Sequence, residues 1–154
     1  MKKLILCISL VLFLGFVQSV FAEGNKHHFP GTFLGATHSG NSTHFTWGVE
    51  YEYKFNDSWG SGFVYEETPN ANNGDGTKIR VLELFYHPAH NMRLGVGVGE
   101  EKEKGEESNT EELIRVNVNY EFHFDGFGLE PTVAVDIKDD EEAIVFGFAL
   151  IKPF

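Results

Sequence analysis

The sequence predicts an all-β protein: an eight-stranded, antiparallel, up-and-down transmembrane β-barrel behind a cleaved leader. Three observations carry that expectation. Two long stretches alternate with a period of two, and their apolar face is filled without exception. Short and longer polar connections take turns along the chain. Glycines and charged residues share one strand face, while aromatic rings occupy the other.

The leader comes first. Lys2 and Lys3 precede an apolar run from Leu4 to Val17, and Val20 and Ala22 occupy the positions that signal peptidase reads. The run is shorter than the roughly 20 residues a spanning helix needs, and no basic stop-transfer flank follows it. Residues 1–22 are therefore expected to be a signal peptide cleaved after Ala22, and residues 23–154 a single domain. Cys7, the only cysteine, lies inside the leader and lacks the full apolar run that precedes a lipoprotein cysteine. The exported part thus has no thiol for disulfides or thiolate–metal sites. The whole chain carries a formal net charge of −11, and losing Lys2 and Lys3 makes the remainder more acidic still. Such a surface excludes nucleic acid as a partner. No later segment resembles a spanning helix, so a membrane location requires a closed barrel.

The strands follow in order. Residues 30–38 read as a strand without a clear polar face. In 44–55, Phe45, Trp47, Val49, Tyr51, Tyr53 and Phe55 oppose His44, Thr46, Gly48, Glu50, Glu52 and Lys54. In the third, Trp59, Phe63 and Tyr65 oppose Gly60, Gly62 and Glu66. Residues 78–87 are ambiguous: Leu82, Leu84 and Tyr86 compete with Ile79, Val81 and Phe85, which suggests a β-bulge. Leu94, Val96 and Val98 oppose Arg93, Gly95, Gly97 and Gly99. In 114–124, Ile114, Val116, Val118, Tyr120, Phe122 and Phe124 oppose Arg115, Asn117, Asn119, Glu121 and His123. Leu129, Val133, Val135 and Ile137 oppose Gly128, Glu130, Thr132, Asp136 and Lys138. The last strand sets Phe146, Phe148, Leu150 and Phe154 against Gly147 and Ala149.

Short links are predicted at 56–58, 88–91 and 125–126, and longer polar loops at 38–43, 68–77, 101–112 and 139–142. That asymmetry suits a membrane barrel with short periplasmic turns. Alternation alone also fits a soluble barrel with its apolar face inward. The glycines decide for the inverted arrangement, because a narrow lumen needs small residues among charged ones, whereas on a solvent face they would only weaken strands. Aromatics beside the short turns (Phe55, Trp59, Tyr86, Phe122, Phe124 and Phe127) read as an interfacial girdle.

The C-terminal segment from Val145 to Phe154 resembles the assembly signal of bacterial outer-membrane proteins, with Phe146, Phe148, Leu150 and Phe154 matching and Lys152 departing from it. The chain is similar in pattern to the small eight-stranded group that contains the OmpA membrane domain, OmpX and OmpW. The resemblance implies residence in the outer membrane of a Gram-negative cell and delivery by the barrel-assembly machinery.

The expected lumen network comprises Glu50, Glu52, Lys54, Glu66, Arg93, Arg115, Glu121, His123, Glu130, Asp136 and Lys138. Desolvated charges of both signs must pair, so the reading is a plugged lumen, with a small porin-like channel for solutes or apolar molecules as the alternative. The acidic stretches 100–112 and 139–142 are solvated loops on one reading. On the other they bind divalent cations bridging to lipopolysaccharide phosphates. His27 and His28 are expected at the opposite end from His38 and His44, so no single metal site joins them. No cofactor is indicated. A lipid A-modifying enzyme needs a nucleophile, a base and an orienting group together. Ser39, Ser42, Thr43, His38 and His44 are nearby candidates without a recognisable motif, and a non-enzymatic structural or surface-interaction role is favoured.

Overall fold

The computed structural model describes residues 26–105, 108–139 and 141–154. The leader assigned to residues 1–22, its cleavage point and Cys7 lie outside the described residues, as do Glu106, Glu107 and Asp140 of the acidic stretches.

Alternating, β-branched and aromatic sequence produces nine strand segments. They are β1 (His28–Ser39), β2 (Ser42–Lys54), β3 (Trp59–Thr68), β4 (Thr77–Ala89), β5 (Met92–Glu103), β6 (Thr110–Tyr120), β7 (Phe122–Phe124), β8 (Phe127–Ile137) and β9 (Glu142–Ile151). Strands β1 to β6 pair antiparallel in chain order, β6 and β7 both pair with β8, and β8 pairs with β9. β9 then pairs with β1, from Gly31 opposite Ile151 to Ser39 opposite Ala143, which closes the sheet.

β6 and β7 are one stave in two pieces. Asn119 faces Thr132 and Phe122 faces Leu129 in a single unbroken register. That register sets Tyr120 against Pro131, which has no N–H to give the ladder, and the pairing lapses there. Counted as staves, the barrel has eight strands.

The pleat then sorts the side chains. Leu34, Phe45, Leu82, Val96 and Phe148 all point outward and are more than half exposed. Phe33, Ala134, Val145, Ala149 and Ile151 form one buried apolar cluster inside the barrel, and Val64, Ile79, Val81 and Leu113 form another. Between these clusters the interior is polar. The outside is an apolar wall, the inverse of a soluble barrel.

The irregularity expected within 78–87 falls at the very end of that range. β4 pairs without interruption from Thr77 to Tyr86 on both sides, and the register shifts only between Tyr86 and Ala89, beside the turn. Both faces of β4 are apolar because Ile79, Val81 and Phe85 fill the lumen while Leu82 and Tyr86 face out. β1 reads poorly for the same reason, with Phe33 buried inside and Leu34 exposed outside.

The first connection is also tighter than expected. β1 and β2 stay paired as far as Ser39 opposite Ser42, which leaves only Gly40 and Asn41 in the turn. At the other end of the barrel, Asp125-Gly126 makes a tight hairpin in which Gly126 adopts φ 85°, a conformation that glycine takes without a Cβ clash. Aromatic contacts cluster at this end, which also carries the C-terminus: Trp59 on Tyr86 at 4.9 Å, Phe124 on Phe127 at 5.0 Å and His28 on Phe154 at 5.2 Å between ring centroids. Phe154 and His28 also exchange backbone hydrogen bonds of 2.9 and 3.1 Å, extending the seam past β9.

Candidate functional site: the charged lumen and its two mouths

Inward positions on neighbouring strands stack into tiers. Nearest the terminal end, Arg93 on β5 donates to Glu50 at 2.7 Å, to Glu52 at 3.3 Å and to Glu130 at 2.5 Å. Its guanidinium also lies 4.6 Å from the centroid of the Phe85 ring, a cation–π placement. With its amide turned end for end, Asn119 accepts from Arg93 Nε at 3.0 Å and donates to Thr132 at 3.0 Å. His87, from the end of β4, reaches Glu52 at 2.6 Å. All five donor slots of a guanidinium point in fixed directions, so one Arg can hold several carboxylates at once.

Towards the loop end, Arg115 on β6 grips Asp136 through two bonds of 2.6 and 2.7 Å and Glu66 through a third of 2.7 Å. Arg115 is 2% exposed and Asp136 is fully buried. A bidentate pair of this kind fixes both partners in geometry as well as in charge. Between the two arginine tiers, buried Glu83 accepts from Asn117 at 2.8 Å.

The loop-end mouth begins with hydroxyls. Thr46 shares short contacts of 2.7 Å with Thr37 and 2.8 Å with Thr68. Above them Lys138 bridges Glu101 at 3.2 Å and Glu141 at 3.4 Å. Glu141 also accepts a hydrogen bond from Ser39. That bond, followed by the attraction of Lys138, holds the Glu141 carboxyl below its ordinary value of 4.5 despite partial desolvation.

Of the residues singled out from sequence, Glu50, Glu52, Glu66, Arg93, Arg115, Glu130 and Asp136 come together inside the barrel. The other four stand at the mouths. Lys54 lies over the Phe29 ring at 4.2 Å, and Glu121 and His123 pair at 3.2 Å at the terminal end. Lys138 belongs to the loop end. Glu83, Asn117, Asn119, His87 and Glu101 also belong to this interior and were not foreseen as members. Among the acidic stretches, Glu100 pairs with Arg80 at 3.3 Å on the outer wall and Glu101 turns inward. Phe146, Phe148, Leu150 and Phe154 all face outward.

Of the two histidines beside the first loop, His38 bonds elsewhere than to Ser39, and His44 lines the loop-end cavity together with Ser39 and Ser42. His38 Nδ1 is 2.8 Å from Thr43 Oγ1, and the Ser39 hydroxyl is committed to Glu141. At the opposite end, His27 contacts the Lys54 carbonyl at 2.7 Å and His28 the Tyr51 hydroxyl at 2.6 Å.

No protein-family model matches the chain, and no curated protein sequence matches it. Solved structures do. The N-terminal β-barrel domain of Pseudomonas aeruginosa OprF superposes with a TM-score of 0.65 at 11% identity, covering 84% of this chain and 98% of that one. Ail, the attachment invasion locus protein of Yersinia pestis, gives 0.58 at 16% identity, covering 86% and 100%. Neisserial surface protein A gives 0.59 at 10% identity, covering 83% and 96%. At such identities the likeness speaks for the fold, and the chain shares the eight-stranded architecture of these small outer-membrane barrels.

Proposed function

We propose that the protein is an integral outer-membrane barrel whose lumen is plugged, with a structural or surface-interaction role and no catalytic activity. The observation that carries the plug is the separation of two cavities that share no lining residue. One, of about 500 Å³, opens at the loop end between Thr37, His44, Glu101 and Lys138. The other, of about 710 Å³, opens at the terminal end between Lys54, His87, Glu121 and His123. The Arg93 and Arg115 tiers stand between them. An eight-stranded lumen is just wide enough for side chains, so two guanidiniums with their carboxylates obstruct it.

Location rests on the outward apolar wall and on the aromatic contacts at one rim. Supporting this reading, the predicted leader supplies export, and the outward Phe146, Phe148, Leu150 and Phe154 present the segment that assembly machinery reads. Outer-leaflet lipid, including lipopolysaccharide, is then the immediate neighbour of the wall. The non-enzymatic reading is supported by Ser39, whose hydroxyl is committed to Glu141 and not to an imidazole.

Outer-membrane fractionation with heat-modifiable gel migration, followed by planar-bilayer recording on the same preparation, tests both parts. Expected are an outer-membrane band with a faster unheated form, and no stable conductance. Recovery in the soluble periplasmic fraction would sink the location, and stable single-channel steps would sink the plug.

A further inference from the structure

Lys152 is explained neither by the plug nor by the apolar wall, for it stands where the assembly pattern takes an apolar residue. Its N–H donates to the Pro30 carbonyl at 3.0 Å, which carries the β1–β9 ladder one residue past Ile151. Ile151 is buried inside the barrel, so alternation puts Leu150 and Lys152 on the outer wall. A groove of about 630 Å³ crosses that part of the wall at the terminal end. It is lined by Pro30 and Thr32 of β1, Asp125 and Phe127 of the β7–β8 hairpin, and Leu150 and Lys152. Lys152 and Asp125 are both exposed and form no ion pair with each other. Among the described residues neither side chain has a hydrogen-bond or ion-pair partner elsewhere.

We propose that this groove seats one glycerophospholipid with an ethanolamine headgroup, its phosphate on Lys152, its ammonium on Asp125 and its acyl chains against Leu150 and Phe127. The inference rests on the outer-membrane location proposed for the barrel. Charge complementarity carries it. A cation and an anion held apart on one groove match a zwitterionic headgroup, whose phosphate and ammonium are themselves separated by a short carbon link. The apolar lining supplies the rest: Leu150 is 51% and Phe127 41% exposed on the wall. Beyond Thr32 and Leu150, Leu34 lies opposite Phe148, so acyl chains leaving the groove meet continuous apolar surface. The groove also stands at the rim where aromatic rings gather, the depth at which headgroups lie. A lysine there buries its stem along the wall and keeps its ammonium among the headgroups.

Asp125 sets the class of headgroup. Its carboxylate accepts hydrogen bonds, and a primary ammonium donates them as the lysine ammonium does. A choline nitrogen is fully methylated and has no N–H to donate, and a glycerol headgroup has no cation at all. Lys152 alone would take any phospholipid phosphate as a point charge. Gly126, at φ 85°, closes the hairpin tightly beside Asp125 and so keeps the carboxylate at the groove.

Native mass spectrometry of the folded protein from residue 23 onward, released from detergent containing equal amounts of phosphatidylethanolamine, phosphatidylcholine and phosphatidylglycerol, is the test. Expected is one phosphatidylethanolamine retained in preference to the other two. D125N is expected to lower that preference about fivefold or more, and K152Q to weaken retention of all three lipids. D57N, an acid on another turn at the same end and outside the groove, should leave the preference unchanged. As a second readout, adding phosphatidylethanolamine to phosphatidylcholine nanodiscs should shift the amide NMR signals of Gly126 and Lys152 in the parent and not in D125N. Heat-modifiable migration establishes that each variant is folded. Equal retention of the three lipids by the parent, a preference that survives D125N, or retention unchanged in K152Q would overturn the groove. Phosphatidylglycerol held above the others through Lys152 would overturn the headgroup class. Fractionation reports the location independently, so an outer-membrane barrel without lipid preference loses the groove alone.

Discussion

Arg115 shows what a single buried charge does here. It is the common partner of Asp136 and Glu66, and its removal strands two buried carboxylates without their cation. Breaking a buried pair in this way costs about 3–5 kcal/mol. R115A is therefore expected to lower the unfolding free energy of the refolded barrel, measured by urea titration, by that amount. The triple variant R115M/D136L/E66L, which removes the charges together, should recover most of the loss. A triple variant no more stable than R115A would show that packing rather than charge is at stake. Ser39 and Glu141 make a milder case at the loop rim. The Ser39 bond depresses the Glu141 carboxyl, so its contribution to stability is present above the ordinary value of 4.5 and fades as pH falls through the lower folded value. In S39A the NMR titration midpoint of Glu141 should move up towards 4.5, with little change in stability at neutral pH because the group is mostly exposed.

Strands sort their side chains by alternation, and the same substitution has opposite meanings on the two faces. Leu82 stands about midway along β4 and is 60% exposed on the apolar wall. An Arg there meets hydrocarbon, and L82R is expected to cost about 2–4 kcal/mol in folding into lipid vesicles. Equal stability of L82R and the parent in vesicles would argue that this wall does not face lipid. β2 and the β6–β7 stave are legible from sequence because each has one face wholly apolar and one wholly polar. β4 and β1 are not, because Ile79, Val81, Phe85 and Phe33 place apolar bulk inside as well. Period-two reasoning cannot assign a face when both faces are apolar. Glu83 was missed for that reason, flanked as it is by Leu82 and Leu84. Glu101 was hidden in a run of acids that reads as a loop, yet β5 continues to Glu103 and turns Glu101 to Lys138. The arginine tiers could be anticipated as a list of inward residues. Which carboxylate meets which arginine depends on strand stagger, and stagger is written in the pairing of whole strands.

For the molecule as a whole, the two tiers act in series. A path through the lumen must pass Arg93 with Glu50, Glu52 and Glu130, and then Arg115 with Glu66 and Asp136. Resistances in series add, so opening either tier alone leaves the other in place. R93S and R115S are therefore each expected to remain silent in planar bilayers, whereas the R93S/R115S double variant conducts. The carboxylates left behind in the double variant have lost both guanidiniums, and a narrow lumen lined by one sign of charge focuses its field on the opposite ion. The current should then be carried by cations, with a reversal potential that follows the potassium gradient across the bilayer. A single variant that conducts as well as the double would reduce the closure to one tier. Anion selectivity in the double variant would mean that the current does not run past Glu50, Glu66, Glu83 and Glu130, and that the path lies elsewhere in the barrel.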